Sequence, residues 1–170
     1  MSIAKFLMCG LGLALGAMTL SPLEAAAQGA CDDQMNMTSF YRKDISALSE
    51  IRLVATQLYA MAGVGPKDIQ TAVLYDHFSP FVLPQLEAFD FCRRGEAKDF
   101  VQDGQIDMGG QLPVNPHGGQ LGEAYIHGVN GIAEGVRQVR GTSVNQVPSV
   151  RNVLVTAGTG VPTSGLILAG

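Results

Sequence analysis

The chain has 170 residues, 46% of them hydrophobic and 15% charged, with 21 glycines, no tryptophan and a formal net charge of −4. That length suits one domain with a real core, and the composition excludes a coiled coil or a disordered tail in favour of a glycine-rich α/β fold. Arg93-Arg94 is the only arginine pair and no basic block exists, so a nucleic-acid partner is excluded.

Lys5 precedes an apolar run over 6–20, closed by Ser21-Pro22 and followed by Ala25-Ala26-Ala27. This charged, apolar and small-residue order is that of a secretory leader over 1–27, with cleavage after Ala27 and a domain over 28–170. At about 1.5 Å per residue the run falls short of a bilayer core of about 30 Å, so no stable membrane span is expected. Cys9, Cys31 and Cys92 lack metal-ligand spacing and are expected to be reduced thiols, although export would allow Cys31 and Cys92 to pair.

Over 44–62, apolar residues recur at Leu48, Ile51, Val54, Ala55, Leu58, Met61 and Ala62, which predicts a helix with one buried stripe. Gly63 to Pro66 should end it, and the short apolar run 71–75 reads as a buried strand. Ser79-Pro80 has the form of an N-cap followed by proline at the first helical position, predicting a helix through about Phe91 whose start Pro84 bends. A helical turn or two follows over 95–101, stopped by Asp103-Gly104, and then a loop over 105–116.

The second long helix is predicted over 119–140, with its buried stripe at Leu121, Tyr125, Val129, Ile132, Ala133, Val136 and Val139. Arg137 and Arg140 favour its C-terminal end, which Gly141 closes. Residues 152–156 and 165–169 read as strands close enough for a hairpin, with Gly158-Thr159-Gly160 in the turn. Helix, strand, helix, helix, strand, strand defines an α/β fold with a mixed sheet packed by helices.

Chemistry concentrates around the glycine pair Gly118-Gly119, where a backbone or ligand can approach closely. Tyr125 on an apolar stripe reads equally as a core tyrosine or a site residue, and Tyr75 ends a strand, where α/β sheets place ligand contacts. His127, two residues beyond Tyr125, should point elsewhere on the helix. His117 stands in the loop within reach of a substrate, and His77 beside Asp76 reads as a cap for the next helix. Glu123 is expected as a partner of the helix dipole.

Three motifs in order carry a resemblance: a strand ending in Tyr75-Asp76-His77-Phe78, then Asn115 with Gly118-Gly119 opening a helix, then a strand ending in Gly158 and Gly160. The chain outside the leader resembles the C-terminal half of a thiolase-like fold, in the lipid-transfer branch related to sterol carrier protein x. Typical thiolases carry Asn-Glu-Ala-Phe after the first strand, so their oxyanion-hole asparagine falls on Tyr75. Their Gly-His-Pro histidine falls on Tyr125, and Thr156 stands where their acid/base cysteine would be.

Thiolysis needs cysteines at both catalytic positions, and no cysteine follows Cys92. The tyrosine pair resembles instead that of aldolases which shorten steroid side chains held as coenzyme A thioesters. The resemblance implies retro-aldol carbon–carbon cleavage by Tyr75 and Tyr125, with His117, Gly118, Gly119, Gly158 and Thr159 around the substrate. It requires neither a metal nor a covalently bound cofactor. The alternatives are an inactive or truncated half serving as a binding module, or a residual acyltransferase resembling acetyl-CoA acetyltransferase. The resemblance also implies a completing N-terminal thiolase half or a homo-oligomer, an exposed apolar face where it packs, and a zinc-ribbon/OB-fold partner. Coenzyme A chemistry implies the cytoplasm, whereas the leader-like start points to export.

Overall fold

The helical stripe Ile51, Val54, Ala55 and Leu58 is buried along α1 (Ser49–Ala62), which Gly63 closes in the left-handed conformation. The computed structural model describes residues 5–6, 44, 46, 48–159 and 163–170. The leader expected over 1–27 lies outside these residues except for Lys5–Phe6, as do Cys9, Cys31 and Gly160. Helix α1 starts five residues later than the periodicity suggested. Asp44 Oδ1 instead accepts the N–H of Ser46 at 2.9 Å and its hydroxyl at 2.6 Å, a local turn that competes with the helix.

The sheet is mixed, as expected. Strand β1 (Lys5–Phe6) lies antiparallel on β4 (Ser164–Ala169), which pairs antiparallel with β3 (Asn152–Ala157), and β3 runs parallel to β2 (Thr71–Val73). The hairpin register places Asn152 opposite Ala169 and Ala157 opposite Ser164. Strand alternation sends Ala72, Leu74, Leu154 and Ile167 to one face, where they join Ile51, Leu58, Leu86 and Phe89 in the main core. Val73, Val153, Val155 and Leu166 form a second cluster on the opposite face.

Helix α2 (Val82–Ala88) follows a 3₁₀ turn over Ser79–Phe81, and Ser79 provides no side-chain cap. The expected helix from Ser79 to Phe91 is therefore shorter at both ends. Pro84 falls in the first turn of α2, where an N–H has no intrahelical partner, so it removes no helical bond. Helix α3 (Ala97–Gln102) follows, and Cys92 beside it is a free, half-buried thiol. Burial, then Glu87 and Glu96, push that thiol up to about 11, which keeps it protonated.

The largest departure lies between Gly119 and Arg140. The single helix expected there is two: α4 (Gly119–Gly122) and α5 (Val129–Arg140), separated by a loop. Gly118, Gly119 and Gly128 all have positive φ, as does His127 at 51°, and this left-handed backbone cannot continue a helix. Tyr125 and His127 therefore sit on a loop and not on a helical stripe.

Helix α5 is also turned the other way round. Its inward face is Asn130, Gly131, Glu134, Gly135 and Gln138, while Val129 is 58% exposed and Ile132 is exposed as well. The glycines explain the orientation, because a Cβ on Gly135 would lie 2.7 Å from Val155 and 2.8 Å from Leu168. Only a side-chain-free face brings this helix so close to the sheet. The inward polar groups are satisfied: Gln138 donates to Glu134 and to the Asn145 carbonyl at 2.8 Å each, and Ser143 donates to Glu134 at 2.6 Å. Leu121, Ile126, Val129 and Ile132 are large apolar side chains left exposed along this stretch.

Candidate active site

Two segments carry the site, and each is fixed by side chains that sequence reasoning left without a role. Beyond the parallel ladder, the Leu74 N–H donates to Asn115 Oδ1 at 2.8 Å, and Asn115 Nδ2 donates to the Leu74 carbonyl at 3.0 Å. The next N–H, of Tyr75, donates to Thr156 Oγ1 at 2.8 Å. Thr156 in turn donates to Gln85 Oε1 at 2.7 Å, and Gln85 Nε2 returns to the Tyr75 carbonyl at 2.8 Å. This closed ring of bonds fixes the Tyr75 backbone. Thr156, at the position of the thiolase cysteine, is buried with its hydroxyl committed on both sides, so it serves Tyr75 rather than a substrate.

The second segment is the loop between α4 and α5. Gln120 is buried, its amide donates to Asn130 Oδ1 at 2.7 Å, and its Oε1 accepts the Gly128 N–H at 3.3 Å. Asn130 Nδ2 donates to Glu123 at 3.3 Å, so Glu123 braces the loop against the first turn of α5. These bonds tie down both ends of the stretch that carries Tyr125.

The two segments bring the Tyr75 and Tyr125 hydroxyl oxygens to 2.9 Å. The Tyr75 phenol is pushed up to about 12, first by burial, then by the Tyr125 hydrogen bond and charge and by Asp76. Gly128 closes this loop at φ 90°, a left-handed conformation that favours glycine, and a Cβ there would lie at ordinary van der Waals distance from the Tyr75 ring. His127 packs edge-on to Tyr125, with centroids 5.1 Å apart, and does not point away as a helix would require.

His77 does not cap the next helix. Its ring stacks on Phe81 at 5.0 Å and lies 5.1 Å from the Tyr75 ring, while Nε2 is 3.2 Å from Thr159 Oγ1. Burial lowers its pKa, against the opposing pull of Asp76. Thr159 thus reaches the tyrosine pair through His77, whereas the Gly158 carbonyl accepts from the Thr163 hydroxyl at 3.3 Å. Gly118 and Gly119 open α4 behind Tyr125. His117 bonds to neither tyrosine, and both its ring nitrogens are buried without a hydrogen-bond partner.

Fold and site together define a thiolase half. The sequence model described as Thiolase C-terminal domain-like matches residues 29–168, and the chain belongs to that family. Within it, the chain is 67% identical over 146 residues to the 17-hydroxy-3-oxo-4-pregnene-20-carboxyl-CoA lyase of Mycobacterium tuberculosis, covering 86% of this chain and 38% of that protein. It is 68% identical to the steroid side-chain-cleaving aldolase of Thermomonospora curvata, covering 84% and 37%. A solved structure described as an Ltp2-ChsH2(DUF35) aldolase superposes with a TM-score of 0.76 at 68% identity, over 78% of this chain and 35% of that one. The chain therefore spans little more than a third of the length of these relatives. Among the described residues, no helix is long and apolar enough to cross a membrane.

Proposed function

We propose that this chain contributes the tyrosine pair of a retro-aldolase acting on steroid β-hydroxyacyl-CoA thioesters. The observation that carries the reading is the 2.9 Å contact between the Tyr75 and Tyr125 hydroxyls, in place of the family's asparagine and histidine. A Tyr75 phenol pushed up to about 12 stays protonated at neutral pH and is therefore able to donate a hydrogen bond to Tyr125 or to the substrate. Tyr125 acts as the base in its phenolate form, held by a hydrogen bond from the Tyr75 hydroxyl, and takes the proton of the substrate β-hydroxyl to become the neutral phenol. The Cα–Cβ bond then breaks, its electron pair passes to the thioester as an enolate, and the hydroxyl carbon leaves as a ketone. Tyr75 stabilises the enolate, and the proton that Tyr125 took from the hydroxyl passes to Cα, giving a shortened acyl-CoA and restoring the Tyr125 phenolate. Coenzyme A enters as part of the substrate, with no covalently bound cofactor, and His117, Gly118, Gly119, Gly158 and Thr159 line its approach.

The reading includes a completing polypeptide, because Tyr125 is 45% exposed and Leu121, Ile126, Val129 and Ile132, on the same stretch of chain, are exposed as well. An N-terminal thiolase half, or a second copy of this chain, packs over these residues. A further partner of zinc-ribbon/OB-fold type stands beside it, in keeping with a solved relative whose description joins two components. The test supplies the full chain with the N-terminal part of the Thermomonospora curvata aldolase. Release of ketone and acyl-CoA is then followed by mass spectrometry. Tyr75→Phe and Tyr125→Phe should each lower turnover by about 10²-fold or more. Retained turnover in both variants would refute the tyrosine mechanism.

A further inference from the structure

Asp76 is buried at 7% exposure between the two tyrosine-bearing segments, and the retro-aldol chemistry gives it no task. It directly follows Tyr75, and its Oδ1 accepts the backbone N–H of Gln120 at 2.7 Å. Gln120 is the residue whose side chain holds Gly128 and Asn130 at the far end of the Tyr125 loop. One carboxylate thus joins the residue after one tyrosine to the anchor of the other.

The glycine pair is shaped around this contact. A Cβ at Gly119 would stand 2.6 Å from Asp76 Cγ and overlap its carboxylate oxygens, on a backbone already at φ 70°. Gly119 therefore makes room for a protein carboxylate. Helix α4 has only four residues, too few to hold its own position, so a fixed anchor matters more here than along α5. Without it, the route from Tyr75 to Tyr125 runs through Gly128 and the weaker 3.3 Å bonds of the loop.

We propose that Asp76 is the positioning residue of the tyrosine pair: by clamping the Gln120 amide against Gly119, it sets the distance between the Tyr75 and Tyr125 hydroxyls. The consequence for turnover rests on the retro-aldol reading, whereas the positioning itself does not. Asp76 is the acceptor for one backbone N–H, so an amide oxygen of the same reach can replace it and a methyl group cannot.

The experiment uses the full chain labelled at tyrosine Cζ, with the Tyr75 and Tyr125 signals assigned through Y75F and Y125F. In the parent chain, Phe substitution of either tyrosine should shift the signal of the other. In D76N this cross-effect should survive, and in D76A it should vanish while far-ultraviolet circular dichroism keeps its helical signal. G119A provides a second route with Asp76 intact, because its methyl group expels the carboxylate and should also abolish the cross-effect. The two sites should couple as well: G119A should lower Tm by about 3 °C more in the parent than in D76A. Persistence of the cross-effect in D76A or G119A, its loss in D76N, or additive Tm changes would overturn the proposal.

Turnover in the complemented enzyme separates this claim from the mechanism. An open pair in D76A with kcat lowered about 10²-fold and KM nearly unchanged supports both. An open pair with full turnover keeps the positioning role and refutes the tyrosine chemistry. A closed pair refutes the positioning role whatever the turnover.

Discussion

The two faces of the sheet are closed by opposite means. On one, α1 and α2 bury Ile51, Leu58, Leu86 and Phe89 in an ordinary apolar core. On the other, α5 lays Gly131, Gly135 and hydrogen-bonded Asn130, Glu134 and Gln138 against Val73 and Val155, and turns Val129 and Ile132 outward. Both helices have apolar periodicity, but α1 buries its stripe in this chain, whereas α5 packs Val139 against the sheet and leaves Val129 and Ile132 outside. A helical stripe thus does not by itself say which of its apolar residues the fold will bury.

Substitutions on the two faces test this contrast. The largest effect should come from Leu58→Ala beneath α1, where a 1% exposed side chain leaves a cavity and costs about 3 kcal/mol in urea denaturation. Next comes Gly135→Ala, whose methyl group must displace Val155 and Leu168 and should cost about 1–2 kcal/mol despite the gain in helix propensity. A neutral or stabilising result there would show that α5 does not need its bare face.

A smaller effect is expected on raising the pH. The phenol of Tyr75 is raised in the folded chain, so its contribution is complete below the unfolded value of about 10 and is lost as pH climbs through about 12. Tyr75→Phe should remove that part of the alkaline loss of Tm, and an unchanged alkaline slope would sever the pair's link to stability. The smallest effect should be Ile132→Ser on the outward face, within about 0.5 kcal/mol for the isolated chain. The same change should weaken association with a completing half, read by analytical ultracentrifugation. A loss as large as that of Leu58→Ala would place Ile132 in this chain's own core.

The β3–β4 hairpin and the order of elements, apart from β1 and the division of the second long helix, were legible in the sequence. Ile51, Val54 and Leu58 face the chain's own core, and each strand is a short apolar run with its partner close by. The break in the second helix left a signal of its own, since Gly118, Gly119, Gly122 and Gly128 crowd into eleven positions. The regular spacing of Leu121, Tyr125, Val129 and Ile132 outweighed them. The supports of the site were not legible. Gln85, Thr156 and Gln120 act across separations of 10 to 81 residues, and a lone buried amide or hydroxyl leaves no periodic trace.

Asn115 has one more consequence. Its side-chain amide meets the backbone of Leu74 as a neighbouring strand would, while Ala72 exchanges bonds with Pro113 and Asn115. The outer margin of β2 is thereby sealed against strand addition, the usual route by which an orphaned sheet polymerises. A surplus of this chain should cluster through the greasy side of α5 into amorphous, helix-rich material, and dyes that report cross-β fibrils should stay dark.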